Sequence, residues 1–250
     1  VGVAGSPPPP RPPRPSRDGL MAALHGEDLF EELQRQPFPA MLNASCASPK
    51  GFDEAEAQAF DPELIVQLIE QVVPAVIIEV GVFRGRSTLE FAQRVGAYVV
   101  AVDSFLGDSY MWTTKREQYL PSLARFAGFP LLYYCFVRAV AEAGLQKVVV
   151  PVPQASSQAF RALDALGVEA DLIYIDAGHD VLDVLQDLVH YWLLLRCGGV
   201  MFGDDYHWPG VRTAVDAFAV EQLLTLNVRG RHKTKWVLSR KYCGQEVRAR

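Results

Sequence analysis

Five short, predominantly apolar runs constrain this chain most: Ala75–Val80, Tyr98–Val102, Val148–Val152, Leu172–Ile175 and Gly199–Phe202. A strand with one wet face alternates apolar and polar residues, whereas these runs do not alternate. They suit strands covered on both faces, as in a parallel sheet. Helical patterns fill the gaps, over 86–95, 116–143 (two helices), 155–166 and 180–195. In the last of these, Val181, Leu185, Leu188, Val189 and Trp192 share one face, with Asp180 at the cap. Strands alternating with helices give βαβ units, and right-handed crossovers wind them on both sides of one sheet. After a helix near 209–222, Leu223–Val228 and Lys235–Ser239 flank a Gly/basic turn and read as a closing hairpin. The expected architecture is α/β: a doubly wound, Rossmann-like sheet of seven strands, mostly parallel with an antiparallel last strand.

The regions outside this pattern read differently. Residues 1–19 hold seven of the 17 prolines and little that could pack, so they are expected to be a disordered Pro-rich arm: a linker, a targeting remnant or a docking strand. Residues 20–60 are read as an N-terminal helix (Met21–Leu33) and a polar connection, 61–240 as the main domain and 241–250 as a basic tail. Asp61-Pro62-Glu63 is a strong helix start before Leu64, Ile65, Leu68, Ile69 and Val72. The net charge of −5 divides into +2 over 1–19, +7 over 229–250 and therefore −14 between them. An acidic body is a poor surface for nucleic acid. The apolar runs are too short to span a bilayer, and no secretory signal pattern is present. The four cysteines (46, 135, 197 and 243) lie far apart without a CxxC pair, which reads as reduced thiols in an intracellular, cytoplasmic protein, or an organellar one if the arm is a targeting remnant.

In an open α/β sheet the ligand lies beyond the carboxyl ends of the strands. The first such end reads Glu79-Val80-Gly81-Val82-Phe83-Arg84-Gly85-Arg86-Ser87. A dinucleotide fingerprint needs a glycine where Phe83 stands, and no G-K-[S/T] follows, so a nicotinamide or flavin site and a P-loop are both disfavoured. The second strand ends on Asp103, 22 residues past Gly81. A carboxylate there can accept both hydroxyls of a ribose; its plainer reading is a helix cap.

The E-x-G-x-x-x-G-x-S pattern resembles that of the class I S-adenosylmethionine-dependent methyltransferases. Tyr174-Ile175-Asp176-Ala177-Gly178-His179-Asp180, Leu194 to Val200, Gly203-Asp204-Asp205-Tyr206 and the run from Val211 to Phe218 extend the likeness over residues 60–240. They resemble a branch that includes macrocin- and novobiocin-type small-molecule O-methyltransferases. The resemblance implies that Glu79, Gly81, Gly85 and Ser87 cradle the methionine part of S-adenosylmethionine. It implies Asp103 and Ser104 at the ribose and Ser156 and Ser157 at the adenine, against helix capping for the serines.

Asp176 ends the fourth strand and Asp204-Asp205 the fifth, so three carboxylates meet at one edge. Like charges there repel unless a cation or proton intervenes. Mg²⁺ would answer this, and metal-dependent O-methyltransferases use such an arrangement. The alternatives are that Asp204 caps the next turn and Asp205 pairs with Arg212. Some metal-dependent relatives carry an acidic base where this chain has Gly178; the neighbouring His179 is the expected substitute, beside Asp176 as a second catalytic candidate. In the long connection 104–130, Tyr110, Met111 and Trp112 are read either as walls of an acceptor pocket or as aromatic packing under the loop, the commoner outcome. The expected reaction is O-methylation of a small hydroxylated acceptor, without nucleic-acid or membrane partners and compatible with a homodimer. N- or protein methylation, or a catalytically silent binder of the cofactor, remain open at this point.

Overall fold

The strands form because β-branched and aromatic residues dominate runs that can be covered on both sides. The computed structural model describes residues 13–25, 29–30, 46, 62–114, 119, 122–126, 128–230 and 233–242. In chain order the elements are α1 (Arg17–His25), α2 (Pro62–Val72), β1 (Val76–Val80), α3 (Arg86–Ala92), β2 (Tyr98–Val102), α4 (Ser109–Thr113), β3 (Arg125–Phe126) and β4 (Phe129–Pro130). There follow α5 (Leu131–Glu142), β5 (Val149–Val152), α6 (Ser156–Ala165), β6 (Ala170–Ile175), α7 (Val181–Leu194), β7 (Leu195–Gly203), α8 (Pro209–Glu221), β8 (Leu226–Arg229) and β9 (Lys235–Leu238).

Seven strands make one sheet in the order β5-β2-β1-β6-β7-β9-β8. The first five pair in parallel, and β9 runs antiparallel between β7 and β8. Strand order reverses between β1 and β6, which opens a cleft at their carboxyl ends. The β1, β2, β5 and β6 residues are all buried. Phe91 of α3 meets Tyr174 and Phe202 edge-on over one face of the sheet. The expected doubly wound sheet with an antiparallel last strand is the one observed.

Three expectations are corrected. The arm was drawn to residue 19, yet residues 13–19 join the fold. Arg17–Gly19 already belong to α1, whose Leu20 and Met21 are buried. Arg14 pairs with buried Asp171 at 3.2 Å, and Tyr98 donates to the Pro15 carbonyl at 2.9 Å. An arginine and a backbone carbonyl, rather than apolar side chains, dock this segment, so hydrophobic patterning could not reveal it. Residues 1–12, most of 31–61 and 243–250 lie outside the described residues, as do the Asp61 cap and the end of the Met21–Leu33 helix. Second, the tail does not begin at 241: Lys241 donates to the carbonyls of Trp192 and Leu195 and closes the end of α7. Third, the cysteines are not all reduced: Cys46 and Cys135 form a disulfide across 89 residues, while Cys197 is free and exposed. Separation in sequence hid a pair whose Cα atoms are 5.2 Å apart.

The buried stripe of α7 also differs from the expected one. Val184, Leu188, Tyr191 and Trp192 are covered, whereas Val181 and Leu182 are exposed. The helix packs against both α6 and α8, so its apolar residues divide between two neighbours. Between α4 and α5 the chain forms a short β3-β4 hairpin where a helical pattern was expected.

Candidate active site

The turn after β1 is tight because it must be. Gly81 has φ +90°, and a Cβ there would lie 1.9 Å from the carbonyl oxygen of Asp176. Only glycine lets the β1 turn pass the end of β6 so closely. Gly85 has φ +84° and abuts the ring of Phe136. Phe83, Phe105 and Asp205 take positive φ values of 50°, 57° and 60°, at the ends of β1, β2 and β7. Strained backbone thus gathers along one edge of the sheet.

Asp103 organises this edge. Its Oδ2 accepts from the backbone N–H groups of Val82 (2.9 Å) and Phe83 (2.7 Å), and its Oδ1 from that of Phe105 (2.6 Å). Burial raises its pKa against the pull of these hydrogen bonds. The carboxylate therefore locks the β1 and β2 turns together, a structural task beyond the ribose contact expected of it. Glu79 is fully buried and accepts from the hydroxyls of Ser87 and Thr88. Burial pushes its pKa up to about 8, against the pull of these two hydrogen bonds. Neither Glu79 nor Gly85 lines the cleft; Gly81 and Ser87 do.

Two adjoining cavities run along the edge. One of about 240 Å³ is bounded by Asp103, Ser104, Ser156 and Asp187. The other, of about 300 Å³, is bounded by Ser87, Tyr110, Met111, Trp208 and Lys235, together with the acidic residues beyond β6 and β7. Asp176 lines both and marks their junction. Ser157 lines neither, and Trp112 instead donates to the Leu106 carbonyl at 2.8 Å. Ser156 hydrogen-bonds Asp187, whose carboxyl burial pushes up to about 7.

The three expected carboxylates do converge, but with two cations that the sequence did not assign to them. Lys235 of β9 is 1% exposed; it bonds Asp204 Oδ2 and donates to the Tyr174 hydroxyl at 3.1 Å. That hydroxyl donates in turn to Asp176 Oδ2 at 2.9 Å. Burial, then the charges of Asp204 and Asp205, push Asp176 up to about 7, against Lys235 and Tyr174.

His179 is the second cation. Its Nδ1 lies 2.9 Å from Asp108 and its Nε2 2.8 Å from Asp205. Burial opposes its charge, but the hydrogen bonds to Asp108 and Asp205 prevail and raise its pKa to about 10. A ring that donates from both nitrogens has no lone pair with which to take a proton. This geometry lends no support to the expected general-base role of His179, whose two nitrogens both face carboxylates. Asp205 pairs with His179, not Arg212, which lies over the Tyr206 ring. Asp204 Oδ1 accepts from the next residue's N–H at 2.8 Å.

Each carboxylate expected to hold Mg²⁺ thus already faces a proton donor: Lys235 on Asp204, His179 on Asp205 and Tyr174 on Asp176. Among the described residues no cluster of three or more His, Cys, Asp or Glu has metal-binding form. This donor set, as arranged, does not fit a divalent cation. Lys235, Tyr174 and Asp108 were missed in the sequence. The register Gly203↔Trp236 sets Lys235 beside Asp204, a signal that needs the β7-β9 pairing to be known first.

The glycine turn, Asp103 and Asp176 all fall within a stretch that matches a family of known proteins. Residues 78–206, just over half the chain, match the model of the methyltransferase domain. The chain belongs to this methyltransferase family. No curated protein sequence matches it significantly. Among solved structures, the O-methyltransferase from Bacillus cereus in complex with SAH is 16% identical, with a TM-score of 0.53 over 84% of this chain and 95% of that one. The O-methyltransferase TomG from Streptomyces achromogenes, in complex with SAM, is also 16% identical, with a TM-score of 0.53 over 89% and 98%. The O-methyltransferase NovP is 17% identical, with a TM-score of 0.54 over 72% and 79%. At these identities the likeness is one of fold. No helix among the described residues of this methyltransferase is long and apolar enough to cross a membrane.

Proposed function

We propose that this methyltransferase transfers the methyl group of S-adenosylmethionine to an oxygen of a small hydroxylated acceptor. The Asp103–Ser156 cavity would take the adenosine, and the methionine part would lie by Gly81 and Ser87. The acceptor would enter the larger cavity beside Tyr110, Met111 and Trp208. O-methylation is supported by the three structural relatives, each an O-methyltransferase by name.

The observation that carries the reading is Asp176, a carboxyl pushed up to about 7 where the two cavities meet. A base with a pKa near the working pH suits proton removal from a hydroxyl. In the proposed step, Asp176 takes the acceptor's hydroxyl proton and the oxygen lone pair attacks the methyl carbon. The C–S bond breaks, its electron pair stays on sulfur, and S-adenosylhomocysteine leaves as a neutral thioether. Sulfonium cleavage needs little help, so alignment of oxygen, carbon and sulfur supplies most of the rate.

The test is transfer of labelled methyl from S-adenosylmethionine to a panel of hydroxylated small molecules, with amines and a protein extract as comparison. Labelling of a hydroxylated compound that Asp176→Asn abolishes is the expected result. Labelling confined to amines or protein would overturn the acceptor class.

A further inference from the structure

We propose that Lys235 is the resident cation of this active site, taking the place that a divalent metal would otherwise fill among Asp176, Asp204 and Asp205. Its role toward an acceptor rests on the methyl-transfer reading above; its exclusion of a metal does not.

Lysine is rarely sealed inside a protein unless it is paired. Here the side chain is 1% exposed, yet it lines the larger cavity, so its ammonium borders that space while its stem is packed away. The position is set by the sheet. Antiparallel pairing of Phe202 with Val237 and Gly203 with Trp236 ends just short of Asp204 and Lys235, whose side chains meet there. The Trp236 indole fixes the same turn by donating to the Asp204 carbonyl at 2.9 Å. An ammonium has three N–H donors. Asp204 and the Tyr174 hydroxyl take two, and Tyr174 carries the chain of hydrogen bonds on to Asp176.

The charges explain why a metal would be unwelcome. A divalent ion sharing Asp204 would lie within a few ångströms of the ammonium, where like charges repel strongly in a partly desolvated site. Expelling Lys235 into water would leave a cavity in the strand end that holds it. A metal at such a site polarises an acceptor oxygen and balances its developing negative charge. Lys235 can perform the second task with its third N–H, as a point charge of fixed position.

The experiment is a Mn²⁺ titration of the full chain, followed by the electron paramagnetic resonance of free Mn²⁺, with S-adenosylhomocysteine binding measured alongside. The intact chain is expected to leave millimolar Mn²⁺ free. Lys235→Met, which keeps the stem and removes the charge, is expected to bind Mn²⁺ at least about tenfold more tightly, because Asp204 then lacks its cation beside Asp176 and Asp205. Lys235→Arg keeps the charge and is expected to behave as the intact chain. Stoichiometric Mn²⁺ binding by the intact chain, lost in Asp204→Asn, would overturn the proposal even if Lys235→Met fails to fold. So would a folded Lys235→Met without gained affinity. Failure of S-adenosylhomocysteine to bind would count against the methyltransferase cofactor reading instead and leave the metal result readable.

Discussion

Asp108 lies 2.9 Å from Nδ1 of His179, and this contact ties the start of α4 across the cleft to the loop beyond β6. Asp205 holds the other nitrogen at 2.8 Å, so the imidazolium joins three loops. Both members of the Asp108 pair are mostly covered, at 17% and 18% exposure, and screening by solvent is limited.

This bridge predicts a pH dependence of stability. His179 has its pKa raised to about 10 in the folded chain, against an ordinary value of 6.5. The folded state then binds a proton that the unfolded state does not, so its contribution is complete below pH ~6.5 and is lost as pH rises through ~10. Asp108 is held below its usual range, mainly by His179 and the Met111 N–H against burial, and adds stability that falls away in acid. Melting temperature across pH 6–10 should fall more steeply for the native chain than for His179→Gln. Parallel curves would mean that His179 is neutral in the folded protein.

Asp103 should prove structural as well as ligand-binding. Asp103→Ala leaves the N–H groups of Val82, Phe83 and Phe105 without their acceptor. Destabilisation of about 2–4 kcal/mol is expected, read from denaturant midpoints, in addition to weaker S-adenosylhomocysteine binding. An unchanged midpoint would show that other groups satisfy these donors.

Much of the fold is legible in the sequence because it is local. The strands β1, β2, β5 and β6 each rest on a predominantly apolar run, and their limits match within a residue or two. Gly81, Asp103 and Asp176 are likewise visible as strand ends. What was hidden depends on pairing between distant segments. Lys235 reads as an ordinary basic residue until β9 is set against β7. His179 reads as a free imidazole until α4 brings Asp108 to it. Arg14 and Pro15 read as an unpacked arm until Asp171 and Tyr98 receive them.

The docked N-terminal segment supplies its own test. Leu20 is 0% exposed in α1, which packs on β5. Leu20→Ala should cost about 2–4 kcal/mol, the usual loss for a buried leucine. A change near zero would mean that α1 does not contribute to the stability of the domain in solution.

The Cys46–Cys135 disulfide should matter because it closes a long loop. In the chain-entropy view a crosslink of this span stabilises by up to about 4–5 kcal/mol. Reductant should therefore lower the melting temperature of the native chain but not of Cys46→Ser/Cys135→Ser. Equal melting with and without reductant would show that the bridge is not formed in solution.

The central claim is that the cleft beyond β1 and β2 accepts an S-adenosyl group and not a dinucleotide. Gly81 permits the close turn, Phe83 occupies the place a dinucleotide needs open, and Asp103 with Ser156 bounds the smaller cavity. Calorimetric titration with S-adenosylhomocysteine and, separately, with NADH tests it most directly. The account predicts one molecule of S-adenosylhomocysteine bound per chain and no heat beyond dilution from NADH. Saturable NADH binding with no response to S-adenosylhomocysteine would contradict it.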